Sequence, residues 1–275
     1  YTAAYNADDS KIKLKIDHTY RVAALCERIA KAAGMCAYDV ELAWLSGMLH
    51  DVGRFEQIKR YNTFSDADSV DHARFGADLL FKDGLISTFL KGMVKCTGYK
   101  PGALEDRYGS DGVFLYNKLN KSDMEMLELA IRCHNMYRIP QGLNRREQAF
   151  CNVLRDADKV DIFKVNIDTP LEEIYNTTTE ELMKSDITDE VLEAFGEEHC
   201  ILKAIRRTPA DTVIGHVSLA YELVYDESVR ITVEQGYLGK LMHFHSDNEE
   251  TNRKMAMVRE KMDSYVKKRI GKKDA

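Results

Sequence analysis

The chain has 275 residues, enough for one large domain with a long appendage and a sizeable core. Its net charge of −6 argues against general nucleic-acid binding through a basic surface, while leaving room for a local cationic pocket that takes a small phosphorylated substrate. No apolar run approaches the ~20 residues that span a bilayer, and Tyr1 to Asp9 lack the basic and apolar regions of a signal peptide.

The six cysteines, Cys26, Cys36, Cys96, Cys133, Cys151 and Cys200, form no CxxC pair, so they read as reduced thiols of a cytoplasmic protein. Asp8-Asp9-Ser10 signals a helix start, and Gly34 its end. Between them Leu14, Val22, Leu25 and Ile29 share a face. His18 lies on that stripe and points inward; alone it reads more simply as a satisfied core residue than as a ligand.

A second helix is expected from about Asp39 to Gly53. Its all-round apolar stretch Ala43 to Leu49 runs into His50-Asp51, a polar pair that is costly to bury unless something satisfies it. Residues 54–68 are expected to form a polar loop, either a solvated connector or, through Arg54, a wall facing a phosphate. Ser69 is expected to cap a helix on which His72, Phe75 and Leu79 share a face. Gly76, one turn after His72, either leaves room for a bulky group or permits close helix packing. A loop-rich insertion, rich in Gly and aromatic residues, is expected over 96–120.

Ser122 is expected to cap a helix ending in Cys133-His134-Asn135. The next helix starts at Asn144 and carries Asp156 and Lys159 one turn apart, which by themselves read as a structural ion pair. Beyond Ile167 the helices shorten. Stronger patterns return near residues 211–225, 228–244 and 247–270, the last offering a face for the core or for a second subunit. Strand-like alternation is scarce, so the chain reads as all-α, with a core over 1–165 and a helical extension over 166–275.

Taken together, His18, His50-Asp51, His72, His134 and Asp156 sit on separate helices or at their ends, each beside an apolar stripe. The ordered segments His18-Thr19-Tyr20-Arg21-Val22, Leu49-His50-Asp51-Val52-Gly53-Arg54, Asp71-His72-Ala73-Arg74-Phe75-Gly76, Ala130-Ile131-Arg132-Cys133-His134-Asn135 and Leu154-Arg155-Asp156-Ala157-Asp158-Lys159 resemble the HD-domain superfamily of metal-dependent phosphohydrolases. The resemblance covers about residues 10 to 165 and implies its two-metal form. His18, His50, Asp51 and Asp156 would hold one divalent transition-metal ion, and Asp51 would bridge to a second held by His72 and His134. Fe or Mn is expected before Zn, Co or Ni. Arg54 and Lys159 would stabilise phosphoryl charge, and Asn135 would either bond substrate or cap its helix.

The activity implied is hydrolysis of a phosphomonoester, phosphodiester or phosphoanhydride, with a nucleotide as the expected substrate. The di-iron oxygenases of the superfamily, acting on a polyol or an organophosphonate, carry the same four-His, two-Asp set, and a regulatory binding module is the reading outside enzymes. The cyclic-dinucleotide phosphodiesterases of the HD-GYP type share the ligands, but the place of their paired His reads His134-Asn135 and no Gly-Tyr-Pro occurs. His199, His216, His243 and His245 lack matching acids and are expected to be structural or on the surface.

Overall fold

A computed structural model describes residues 1–6, 8–95, 119–170, 172 and 177–271. It is 73% helical with no strand among the described residues, so the protein is all-α. Most of the expected 96–120 insertion lies outside the described residues. Among those described, the cysteines are free thiols and no helix is long and apolar enough to cross a membrane.

The chain forms two compact units, Tyr1–Glu27 with Cys36–Leu154, and Arg28–Met35 with Arg155–Ala275. In chain order the described α-helices are α1 Ser10–Ala32, α2 Ala37–Leu49, α3 Val52–Tyr61, α4 His72–Ala77, α5 Ile86–Lys95, α6 Lys121–Cys133 and α7 Arg145–Asp168. There follow α8 Thr179–Lys184, α9 Asp189–Gly196, α10 Pro209–Val217, α11 Asp226–Gln235, α12 Tyr237–Met242 and α13 Glu249–Ile270.

The first unit differs from the sequence reading at four boundaries, each for a local reason. The expected helix to Gly53 ends at Leu49, because Asp51 leaves helical geometry at φ −103°, ψ 16°. The expected loop over 54–68 begins only at Asn62. Val52, Phe55 and Ile58 recur at helical spacing and are buried, so α3 continues to Tyr61, and Asn62 closes it in the left-handed region at φ 52°. Caps also differ. Asp71, not Ser69, accepts from the amides of Ala73 and Arg74 to open α4, and Asn120, not Ser122, forms a capping box with Asp123 at α6.

What fixes the register of this unit is contact between backbones. A Cβ on Gly53 would lie 2.2 Å from the His72 carbonyl oxygen and 2.7 Å from the Gly76 nitrogen, so α3 and α4 meet backbone to backbone there. Gly76 therefore serves close packing. Gly47 performs the same service between α2 and α1, where a Cβ would lie 2.6 Å from Ala23 Cα. The buried Asp123 carboxylate accepts from Tyr38 Oη at 2.6 Å and pairs with Arg146 at 2.8 Å, tying α6 to α2 and to the start of α7.

The second unit has its own apolar core, including Phe163, Leu182, Val191, Phe195, Val213, Ile214, Leu241, Met255 and Val258. The pattern expected as one helix over 228–244 is two, α11 and α12, separated at Gly236 with φ 70°. Thr208 and Asp211 form a capping box with Pro209 in the first turn of α10.

Candidate metal centre

The first unit brings five of the expected side chains together: His18, His50, Asp51, His72 and His134, all buried. His18 comes from α1, and His50-Asp51 from the break between α2 and α3. His72 opens α4, and His134 follows α6. Asp51 stands at the middle. Its Oδ2 lies 3.5 Å from His18 Nε2 and 3.5 Å from His50 Nε2. Its Oδ1 lies 3.4 Å from His72 Nε2 and 3.8 Å from His134 Nε2. Each carboxylate oxygen thus faces one pair of imidazoles.

Hydrogen-bond chemistry fixes the tautomers. His50 Nδ1 is 2.7 Å from the Gly47 carbonyl, and His134 Nδ1 is 2.7 Å from the Ile131 carbonyl. A carbonyl only accepts, so both Nδ1 atoms carry the proton and donate, which leaves Nε2 unprotonated. His72 Nδ1 donates to Asp66, at 2.9 Å to Oδ1 and 2.7 Å to Oδ2. The ring of His72 is neutral, because burial and Arg54 push its pKa down to about 4 against the pull of Asp66 and Asp51. Its Nε2 is therefore also unprotonated, and it stands 3.0 Å from His134 Nε2. Two lone pairs at that separation repel unless a cation lies in their joint reach. Neutral imidazoles converging on an ionised carboxylate are the donor set of a transition-metal site, so the residues present fit divalent metal ions.

Burial alone would raise the Asp51 carboxyl, but Lys15, His50, His72 and Arg54 outweigh it and hold it well below the usual carboxylate range. Lys15 Nζ donates to Asp51 Oδ2 at 2.7 Å. Asp66 is likewise held low. Burial would raise it, but the His72 bond and the Arg54 charge outweigh that. Neither Lys15 nor Asp66 was singled out by the sequence reading. Lys15 carries a signal in hindsight, being one helical turn before His18. Asp66 carries none, because it reaches His72 from an irregular segment.

The other expected residues are placed as follows. Arg54 Nη1 donates to Gln57 Oε1 at 2.7 Å, to the Phe64 carbonyl at 2.6 Å and to Asp66 Oδ1 at 2.8 Å. Its Nε has no hydrogen-bond partner among the described residues and lies 3.8 Å from Asp51 Oδ1. Asn135 does not cap α6. Its amide donates to Asp71 at 2.9 Å and to Asp66 at 3.3 Å.

Asp156 lies in the second unit. Its carboxylate accepts from the amides of Val224 and Tyr225 at 3.0 Å and from Ser228 Oγ at 2.7 Å, satisfying the chain as it enters α11 inside the second unit. A carboxylate so committed serves the helix start. Burial raises its pKa against the three hydrogen bonds. Lys159, in the same unit, is buried, and burial together with Arg155 pushes its pKa down to about 8. Of the histidines expected outside the centre, His199 pairs with Glu197 at 2.6 Å, His216 is half-buried and His243 bonds the Gly239 carbonyl.

Comparison with protein families gives a match to the HD domain over residues 16–165, more than half of the chain. Comparison with curated proteins and with solved structures gives no match. The family is one of metal-dependent hydrolases whose members bind divalent metals. With that match spanning residues 16–165 and including His18, His50-Asp51, His72 and His134, the chain belongs to the HD-domain family.

Proposed function

We propose that this protein is a phosphohydrolase that uses two divalent metal ions to cleave a phosphoester or phosphoanhydride, with nucleotides as its substrate class. The observation that carries the reading is the division of Asp51, with Oδ2 beside His18 and His50 and Oδ1 beside His72 and His134. One metal ion would take His18, His50 and Asp51; the other would take Asp51, His72 and His134. Bound there, the pair would acidify a water and offset phosphoryl charge.

The chain's own residues prepare that chemistry. The Gly47 and Ile131 carbonyls and the Asp66 carboxylate hold three imidazoles with Nε2 directed inward. Asp66, Gln57 and the Phe64 carbonyl pin Arg54 through Nη1, so the guanidinium presents its remaining donors beside Asp51 without further ordering cost. On the transferred group this positive charge is stabilising in the transition state.

The test is to load the protein with Mn, Fe, Co, Ni or Zn, measure bound metal, and screen nucleotides and generic phosphate esters for release of phosphate or of the leaving alcohol. Turnover that is lost on chelation and in Asp51→Asn supports the reading. Two metals bound without turnover on any phosphorylated compound overturns it.

A further inference from the structure

Resting on that reading, we infer that Lys15 is a second substrate-contacting cation, which with Arg54 grips a terminal phosphoryl dianion across Asp51. The ammonium of Lys15 is 2.7 Å from Oδ2, and Arg54 Nε is 3.8 Å from Oδ1. One cation therefore flanks each half of the centre. Both also meet a single ring. Lys15 Nζ lies 5.4 Å from the Phe64 centroid, and Arg54 Cζ lies 5.9 Å from it. Phe64 packs on the small cluster of Ile12, Phe55 and Ile58, which anchors the ring between α1 and α3. The attraction of a cation to an aromatic face holds a long side chain in place without consuming any N–H donor.

The donor count sets Lys15 apart from Arg54. An ammonium has three N–H bonds. Lys15 gives one to Asp51, and no other hydrogen bond from its Nζ exists among the described residues. Its side chain keeps 16% exposure, so a ligand reaches it from solvent. Arg54, by contrast, has its charge matched by Asp66 at 2.8 Å. With Asp51 engaged by metal ions as in the reading above, its charge would be divided among them, leaving Lys15 only partly compensated. A surplus positive charge beside the two metal-holding halves fits a group with two negative charges, such as a phosphomonoester or a terminal nucleotide phosphate. An internal diester carries one charge and gains less from the second cation.

The experiment measures binding of inorganic phosphate and of dimethyl phosphate to the full-length metal-loaded protein by calorimetry, with metal content determined on the same samples. In wild type, inorganic phosphate is expected to bind more tightly than dimethyl phosphate. Lys15→Met is expected to lose roughly tenfold in phosphate affinity, the size of one charge-assisted hydrogen bond, with much less effect on dimethyl phosphate and with both metals retained. Lys15→Arg should recover most of the loss. Phe64→Leu, which keeps the apolar packing but removes the ring, should show a loss in the same direction. Unchanged phosphate affinity in Lys15→Met with its metals retained overturns the inference alone. Loss of metal from Lys15→Met and from Phe64→Leu also overturns it, since Lys15 would then serve the fold. Failure of metal-loaded wild type to bind inorganic phosphate overturns the reading of the centre and this inference with it.

Discussion

Gly53→Ala tests how the centre is held. The added Cβ would lie 2.2 Å from the His72 carbonyl oxygen, whereas ordinary contact begins near 3.4 Å. The next contacts are Gly76 N at 2.7 Å and Gly76 Cα at 3.0 Å. All three are backbone atoms, so no side chain can swing aside, and α3 and α4 must part by about 1 Å. Overpacking of this kind costs about 1–3 kcal/mol, and a rigid neighbour on both sides places it at the upper end. For a chain of this size that corresponds to a fall in Tm of roughly 6–12 °C. The displacement also separates Asp51 from His72, whose Nε2 now stands 3.4 Å from Oδ1, so binding of the second metal ion weakens with it. Calorimetric unfolding and metal analysis of the same preparation read both effects. Gly239→Ala is the control, because nothing lies within 4 Å of its Cβ and the site is helical; it should leave Tm unchanged or slightly raised. A Gly53→Ala protein with wild-type Tm and full metal content would refute the reasoning.

Other substitutions separate the roles assigned above. Asp66→Asn keeps the shape but removes the charged acceptor of His72 and Arg54, and should weaken metal binding about 10- to 100-fold, as measured by chelator competition. Asp156→Asn, which weakens the acceptor of two amides and of Ser228 Oγ, should lower stability by about 1–3 kcal/mol, as read by chemical unfolding. Desolvation, with the charges of Arg206 and Lys203 adding to it, pushes the pKa of His216 down from 6.5 to about 3. Between those values the unfolded chain binds a proton that the native one refuses, so stability falls as pH drops from about 6.5 toward 3. Chemical unfolding of His216→Gln across that window should show a flatter dependence than wild type.

The helical class was legible because apolar residues recur at a helical period, and the histidines because His18 lies within such a stripe, His50 and His134 end one and His72 starts one. Asp156 shows where periodicity is silent. α7 is buried almost all round near Leu154 to Ala157, so an apolar stripe does not choose the face on which a carboxylate works. α3 was hidden by its polar residues. Gln57 is fully buried yet bonds Asp66, Ser69 and Val70, a network that composition reads as solvated loop. Asp66 was out of reach for a different reason: its partner His72 is six residues away through an irregular segment, and no spacing rule encodes that approach.

The three imidazoles whose orientation is fixed here differ in what enforces it. For His50 and His134 the enforcing atom is a main-chain oxygen three positions earlier in the same helical turn, which no amino-acid replacement deletes. For His72 it is a replaceable carboxylate. Variation can therefore retune the basicity of one coordination partner through a single codon while its neighbours stay as they are, which makes the Oδ1 side the adjustable half of the pair.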